Sequence, residues 1–516
     1  MSAAVQKTPG RDGLKALALV ALWLCASAWL RPLMRPDEGR YASVTLAMLR
    51  SGDWLTPTLN GLPFFHKPPL FFWIGGAAMA LTGPTAFAAR AASLAGALLG
   101  ASALYLFARR WGGAGGARRA LAVLAVHPLF FIGAQFANLD MLVAGCIAAT
   151  VLALAHAALS FEAGQPYRRV LWLAYALAAL GVLAKGLIGV VLPAFIIGLL
   201  LIARRRWRGL LALLSPVGAL LFVLIAAPWF ALMQQRFDGF LHYFIVVQHF
   251  QRFTQGGFNN AQPWWFYPAV LAGCGLPCIA WTRGAFTRGY WRAGGTLADV
   301  RLLMGLTVAC VVFFFSLPQS KLVGYVFPAV PALAWLVADA SAPLASGSPA
   351  RRAWWRASLA CAALIGLALV LWLTVDQHYS ARRMGLALKQ QRHAGEPVYM
   401  VGQYLYDLPF YAGLEQPVFV VNDWNRPGIA KRDDWRRELV DAGAFNPALA
   451  RRLLITPQAL PAALCRSGVA WVVGSASAPK QLSFLERGRP VFSAHGQSLW
   501  RMDARALNCA EMPNGG

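Results

Sequence analysis

Residues 14–33 read LKALALVALWLCASAWLRPL, and residues 34–42 continue MRPDEGRYA. As a helix the first stretch covers roughly 30 Å, the thickness of bilayer hydrocarbon. Lys7, Arg11 and Lys15 precede it, as in a signal peptide. No small-x-small cleavage site stands before Arg31, however, and many apolar runs follow, so the run reads as a retained first helix with its N-terminus in the cytoplasm. Asp37 and Glu38 then sit at the water end of a span. A charge near hydrocarbon costs roughly 2.5–3.5 kcal/mol on insertion scales and is retained mainly where it pairs or works.

The remainder of the chain has the same character. Of 516 residues 58% are hydrophobic and only 13% charged, a balance that a water-soluble domain would have to expose as large apolar patches. The formal net charge of +26 lies in short Arg and Lys clusters between apolar runs, which points to membrane topology and away from nucleic acid. Further runs at 87–108, 117–135, 140–160, 169–184, 186–203, 209–233, 264–282, 302–316, 324–341 and 355–375 bring the expected crossings to eleven. Pro68 to Leu81 reads as an interfacial helix. With that assignment the clusters at Arg109–Arg119, Arg168–Arg169, Arg204–Arg208, Arg283–Arg292 and Arg351–Arg356 all fall on the cytoplasmic face.

The opposite face receives loops 34–86 and 234–263, the short segments around 138, 185 and 320, and everything after about residue 376. There Pro397–Val401, Pro417–Val421 and Val469–Val473 read as strands and Lys431–Ala442 as a helix, a small α/β domain outside the membrane. Cys465 and Cys509 both lie in it; a disulfide and two free thiols are both open readings. Cys274 and Cys278 fall within an apolar run and read as buried thiols rather than a metal or redox pair.

Carboxylates are scarce before residue 376, so each position is informative. Asp37 reads as a worker in a site or as the cap of a helix over Gly39–Arg50. Lys67, held by Pro68 and Pro69 at the start of the interfacial helix, suits a phosphate at headgroup depth, or else snorkels to lipid. Asp140 heads one span, Lys185 joins two, and Lys321 and Tyr325 enter another. His249 and Arg252 lie in the 234–263 loop ahead of the aromatic cluster Trp264–Tyr267. Cations and isolated acids converging on one membrane face fit a phosphate-bearing lipid substrate.

In order, PDEGRYA (36–42), HKPPL (66–70), NLD (138–140), KG (185–186), HFQRF (249–253) and SKLVGY (320–325) resemble the bacterial aminoarabinose transferases, which stand with the protein O-mannosyltransferases among C-type glycosyltransferases. The resemblance implies a polytopic α-helical membrane protein of about 11–13 transmembrane helices with a small C-terminal periplasmic α/β domain, divided as 1–376 and 377–516, in a bacterial inner membrane. It implies transfer of a sugar, such as 4-amino-4-deoxy-L-arabinose, from an undecaprenyl-phosphate carrier to lipid A, another glycolipid or a protein. Asp37 would be the catalytic carboxylate. Arg40, Lys67, Lys185 and Arg252 would hold the carrier phosphate, and Glu38, Tyr41, Asp140 and Tyr325 would line the pocket, with His249 and Lys321 also on the substrate. No ligand set with recognisable metal spacing is present, and a divalent metal stays an open question. A transporter of polyprenyl-linked sugars is the alternative from another class, although transporters place polar groups near the midplane and show internal repeats, where this chain gathers them at one face.

Overall fold

The computed structural model describes residues 11–251, 260–292, 294–429, 434–507 and 509. Its first part is helical: α1 (Arg11–Ala26), α2 (Asp37–Ser51), α3 (Leu70–Thr82), α4 (Ala86–Val126), α5 (Pro128–Ala134), α6 (Leu139–Glu162), α7 (Arg168–Lys185), α8 (Ile188–Ala203), α9 (Trp207–Ala212) and α10 (Pro216–Arg236). After a π-helix at His242–Gln251 come α11 (Phe266–Cys274), α12 (Gly295–Ser316), α13 (Val330–Ala340) and α14 (Pro349–Val375).

Among the described residues six helices are long and apolar enough to cross a membrane, and a seventh crossing is the pair Phe266–Cys274 and Cys278–Phe286, bent by 116°. The other expected crossings fall on shorter, bent or charge-ended helices. Both α1 and α8 are shorter apolar helices of 16 residues, and α7 carries Arg168, Arg169 and Lys185 at its two ends. The two runs at 87–108 and 117–135 join into α4, which is broken at Gly113 (φ 80°, ψ 164°). Ser93 on the first leg donates to the carbonyls of Phe136 and Asn138 at 2.7 and 2.9 Å, so the chain returns after the break and both legs run the same depth. Residues 27–34 leave the helix because Arg31 and Pro32 end it.

Polar ties separate the two ends of the bundle. At one end Arg206 bridges Glu162 and Asp299, Arg204 joins Asp299, and Arg301 meets Asp339. At the other, Asn138 reaches Asp37, Lys185 meets Asp140, and Ala261 pairs with Ser320. This alternation is the one that the basic clusters predict.

After α14, α15 (Arg382–Gln391), α16 (Leu408–Ala412) and α17 (Trp435–Ala444) flank a six-stranded sheet of order β5-β4-β3-β6-β8-β7. Here β3 is Val398–Val401, β4 Phe419–Val421, β5 Leu454–Ile455, β6 Val469–Ser475, β7 Arg489–Ala494 and β8 Gln497–Asp503; β1 (Thr58–Leu59) and β2 (Leu62–Pro63) form a separate hairpin. Strands β3 to β6 run parallel, and β7 and β8 add antiparallel. Hydrophobic side chains including Trp471 and Val473 pack the sheet into one continuous core with the helices. Cys465 and Cys509 are joined by a disulfide.

This sheet unit sits on loop 33–67. Asn60 exchanges hydrogen bonds with the backbone of Val418 at 2.9 and 2.8 Å, and Ser43 donates to the Tyr406 carbonyl at 2.7 Å. Gly39 presses on Asp407 so closely that a Cβ there would lie 2.7 Å from the Asp407 nitrogen. Only glycine permits that approach.

Candidate active site

Glu38 anchors the loop rather than lining a cavity. Its carboxylate is fully buried between Arg31 and Arg90 and accepts from the amides of Met34 (3.0 Å) and Ala137 (2.8 Å). Burial alone would push the carboxyl up, but the two guanidinium groups outweigh it and hold it at about 2. Arg90 also donates to the carbonyls of Ala28, Arg31 and Pro32 at 2.6, 3.0 and 2.9 Å. One satisfied knot thus ties α1, α2, α4 and the α5–α6 turn together. The sequence signal for it was a lone arginine inside an apolar run.

The knot presents Asp37 at the first position of α2. Its side chain caps nothing. Instead one oxygen accepts from the Asn138 amide at 3.0 Å and the other faces Arg40 at 3.7 Å. Asn138 is itself the N-cap of α6, taking the Asp140 N–H at 3.1 Å, so a single amide couples Asp37 to the helix that carries Asp140. Arg40 makes its shorter ion pair, 3.0 Å, with Glu438 of α17, and Glu438 also faces His66 Nδ1 at 3.6 Å and accepts from the Tyr406 hydroxyl. The guanidinium lies 4.8 Å from the Tyr406 ring centre. Tyr41 packs on Phe71 and Phe72. Burial raises its hydroxyl well above the phenol range, and the nearby charges of Asp37, Asp140 and Glu438 raise it further against the opposing Arg40. The charges of three acids from three distant stretches therefore act on one phenol hydroxyl.

Beside this cluster opens a cavity of about 410 Å³. Lys67, Lys185, Asp140, Gln248 and Ser320 are the polar part of its lining, and Val143, Ile147, Leu187, Ile188, Phe314 and Phe315 are apolar. Lys185 pairs with Asp140 and lies 4.4 Å from the ring centre of Tyr325. Gly324 abuts the same carboxylate; a Cβ on it would fall 2.3 Å from Asp140 Oδ2. Gln248 donates to the Tyr243 hydroxyl at 2.9 Å, which donates to Asp441 of α17 at 3.3 Å, so the C-terminal unit braces the cavity wall. Cations in a largely apolar cavity can take an anionic headgroup with a hydrocarbon tail.

Of the residues singled out from sequence, Asp37, Arg40, Tyr41, Lys67, Asp140, Lys185 and Tyr325 converge here. Lys321 is buried with its ammonium on the carbonyls of Gln262 (2.9 Å) and Pro318 (2.6 Å); it shapes the 318–325 turn and does not line the cavity. The side chain of His249 and the whole of Arg252 lie outside the described residues. Glu438, Tyr406, His66 and Asn138 were missed. The first two come from the C-terminal unit, whose folding onto loop 33–67 has no local signature. Among the described residues no three His, Cys, Asp or Glu side chains come together as metal ligands.

Residues 66–231 match the family described as dolichyl-phosphate-mannose-protein mannosyltransferase. Undecaprenyl phosphate-alpha-4-amino-4-deoxy-L-arabinose arabinosyl transferase 1 of Sodalis glossinidius is 34% identical over 60% of this chain and 55% of its own length. The transferase of the same name from Erwinia tasmaniensis is 32% identical over 68% of this chain and 64% of its own. The chain thus spans less than two thirds of the length of these relatives. The crystal structure of ArnT from Cupriavidus metallidurans bound to undecaprenyl phosphate superposes with a TM-score of 0.77 at 24% identity, covering 95% of this chain and 98% of that one. The archaeal oligosaccharyltransferase AglB from Archaeoglobus fulgidus gives 0.53 at 13% identity over 97% and 75%. The fold is the one these two structures share, and the chain is similar to the aminoarabinose transferases, as the ordered motifs suggest.

Proposed function

We propose that this chain transfers a sugar from an undecaprenyl-phosphate carrier to a glycolipid acceptor at the non-cytoplasmic face of the membrane. The sugar is 4-amino-4-deoxy-L-arabinose, as in the names of its relatives, and the acceptor is lipid A or a similar phosphoglycolipid in a bacterial inner membrane. One observation supports the reading: Lys67 and Lys185 line one largely apolar cavity with Asp140, whose helix cap Asn138 bonds Asp37. The disulfide in the C-terminal unit suits an oxidising compartment, which supports the periplasmic placement.

In this reading the two ammonium groups receive the carrier phosphate, and the polyprenyl chain follows the aliphatic and phenylalanine walls. The bond from the anomeric carbon to the phosphate oxygen breaks as the acceptor oxygen attacks from the opposite side. The negative charge that develops on the departing phosphate is stabilised by Lys67 and Lys185. Where the acceptor is a hydroxyl, its proton passes to Asp37; an ionised phosphate acceptor needs no base, and Asp37 then holds Arg40 in place. Asp140 keeps Lys185 oriented.

The test is transfer by the detergent-purified protein from undecaprenyl-phosphate aminoarabinose, and from other undecaprenyl-phosphate sugars, to lipid A and to a peptide bearing serine and threonine. Product on lipid A from the aminoarabinose donor is expected. Movement of the carrier across proteoliposomes without any product would replace this reading with a transporter, and product on the peptide alone would replace the acceptor.

A further inference from the structure

We propose that a second cavity, on the other side of the Glu38 knot, binds the phosphate-bearing headgroup of a membrane lipid. The cavity measures about 450 Å³ and shares no lining residue with the first. Arg50 comes from α2, and Arg382 and Lys389 from α15, the first helix after the last spanning one. Among the described residues no carboxylate lines it, and the Arg31 that reaches it is committed to Glu38. Arg382 and Lys389 therefore face the same space as Arg50, whose guanidinium also donates to the Leu414 carbonyl, and none of the described lining residues is an acid.

Its position says which anion. Trp29 and Phe87 also line the cavity. The first is 64% exposed just beyond the end of α1, and the second begins α4. Aromatic side chains at helix ends mark the headgroup level. The N-terminus of α4, capped by Thr85, enters the same lining and adds a partial positive charge. A cavity lined by arginine, lysine and aromatic side chains at the ends of apolar helices matches a lipid phosphate, with the anion on the cations and acyl stems against the rings. This site stands apart from sugar transfer, so it holds whether or not the catalytic reading does.

The test uses the full chain and native mass spectrometry in a neutral detergent, with phosphatidylglycerol and phosphatidylcholine of equal chain length as probes. The wild type should retain phosphatidylglycerol in preference, and R382E/K389E should weaken that retention at least about tenfold while leaving phosphatidylcholine unchanged. Undecaprenyl phosphate retained equally by both proteins shows that the variant is folded. Lys67→Ala should leave phosphatidylglycerol bound; its loss there, with no loss in R382E/K389E, would move the signal to the first cavity and overturn the proposal. Equal retention of the two lipids would overturn it too. Inorganic phosphate that competes as well as the lipid would overturn the lipid assignment in favour of a free anion.

Discussion

Glu438→Gln removes one negative charge from the C-terminal unit and almost no volume. In the folded protein that charge sits 3.0 Å from Arg40 and 3.6 Å from His66, with both side chains of the Arg40 pair largely buried. At an effective dielectric of about 20, 3.0 Å corresponds to about 5 kcal/mol of attraction. Desolvation offsets part of it, so breaking such a pair from one side costs about 3–5 kcal/mol. Arg40 has one fallback, the Asp37 carboxylate at 3.7 Å. A guanidinium drawn there would neutralise the group proposed to act on the acceptor. The expected result is a loss of about 3 kcal/mol in denaturant stability and a fall in kcat of about 100-fold. Glu438→Asp, which keeps the charge, should recover part of both. Detergent-purified variants are compared by urea unfolding and by initial rates of sugar transfer. Wild-type stability and a kcat within about twofold for Glu438→Gln would refute the claim that the C-terminal unit sets the Arg40 geometry.

Gly324→Ala places a methyl carbon 2.3 Å from Asp140 Oδ2, so the carboxylate must move and its pair with Lys185 is disturbed; the cost is about 1–3 kcal/mol of overpacking. Undecaprenyl-phosphate binding should weaken in this variant, and unchanged affinity would show that the Asp140–Lys185 pair does not hold the carrier. Asp407 supplies a pH test. Burial pushes its carboxyl up to about 6, above the unfolded value of 3.8, so the folded state binds the extra proton, stability is highest below about pH 4, and about 3 kcal/mol is lost as pH rises through 6. Thermal unfolding between pH 4 and 7 should show that slope, and Asp407→Asn should flatten it. Glu38 has the opposite sign. Held at about 2 against an ordinary 4.5, it stabilises above about pH 4.5 and loses that contribution as pH falls toward 2, so unfolding of Glu38→Gln should be less acid-sensitive than that of the wild type.

What could be read from sequence was whatever rests on local chemistry. Apolar length announced the spans, alternating basic clusters gave their sides, and the rarity of carboxylates drew attention to Asp37 and Asp140. What could not be read depended on contacts between distant stretches. The break at Gly113 inside 109–119 parts α4 into the two runs that hydropathy separates. Glu38 and Lys321 looked like site residues for the same reason as Asp37, a charge at a membrane face. Only the partners distinguish them, two arginines for Glu38 and two carbonyls for Lys321. Glu438 sits in an ordinary amphipathic helix, and its meaning appears when α17 packs over loop 33–67, nearly 400 positions earlier in the chain.

Asp37 is proposed to act on the acceptor beside a carrier held by Lys67 and Lys185. The direct measurement is Asp37→Asn assayed twice on one preparation, for equilibrium binding of undecaprenyl phosphate and for single-turnover transfer. Binding within about threefold of wild type with transfer reduced by at least about 100-fold is expected. Transfer at the wild-type rate, or loss of both together, would contradict the account.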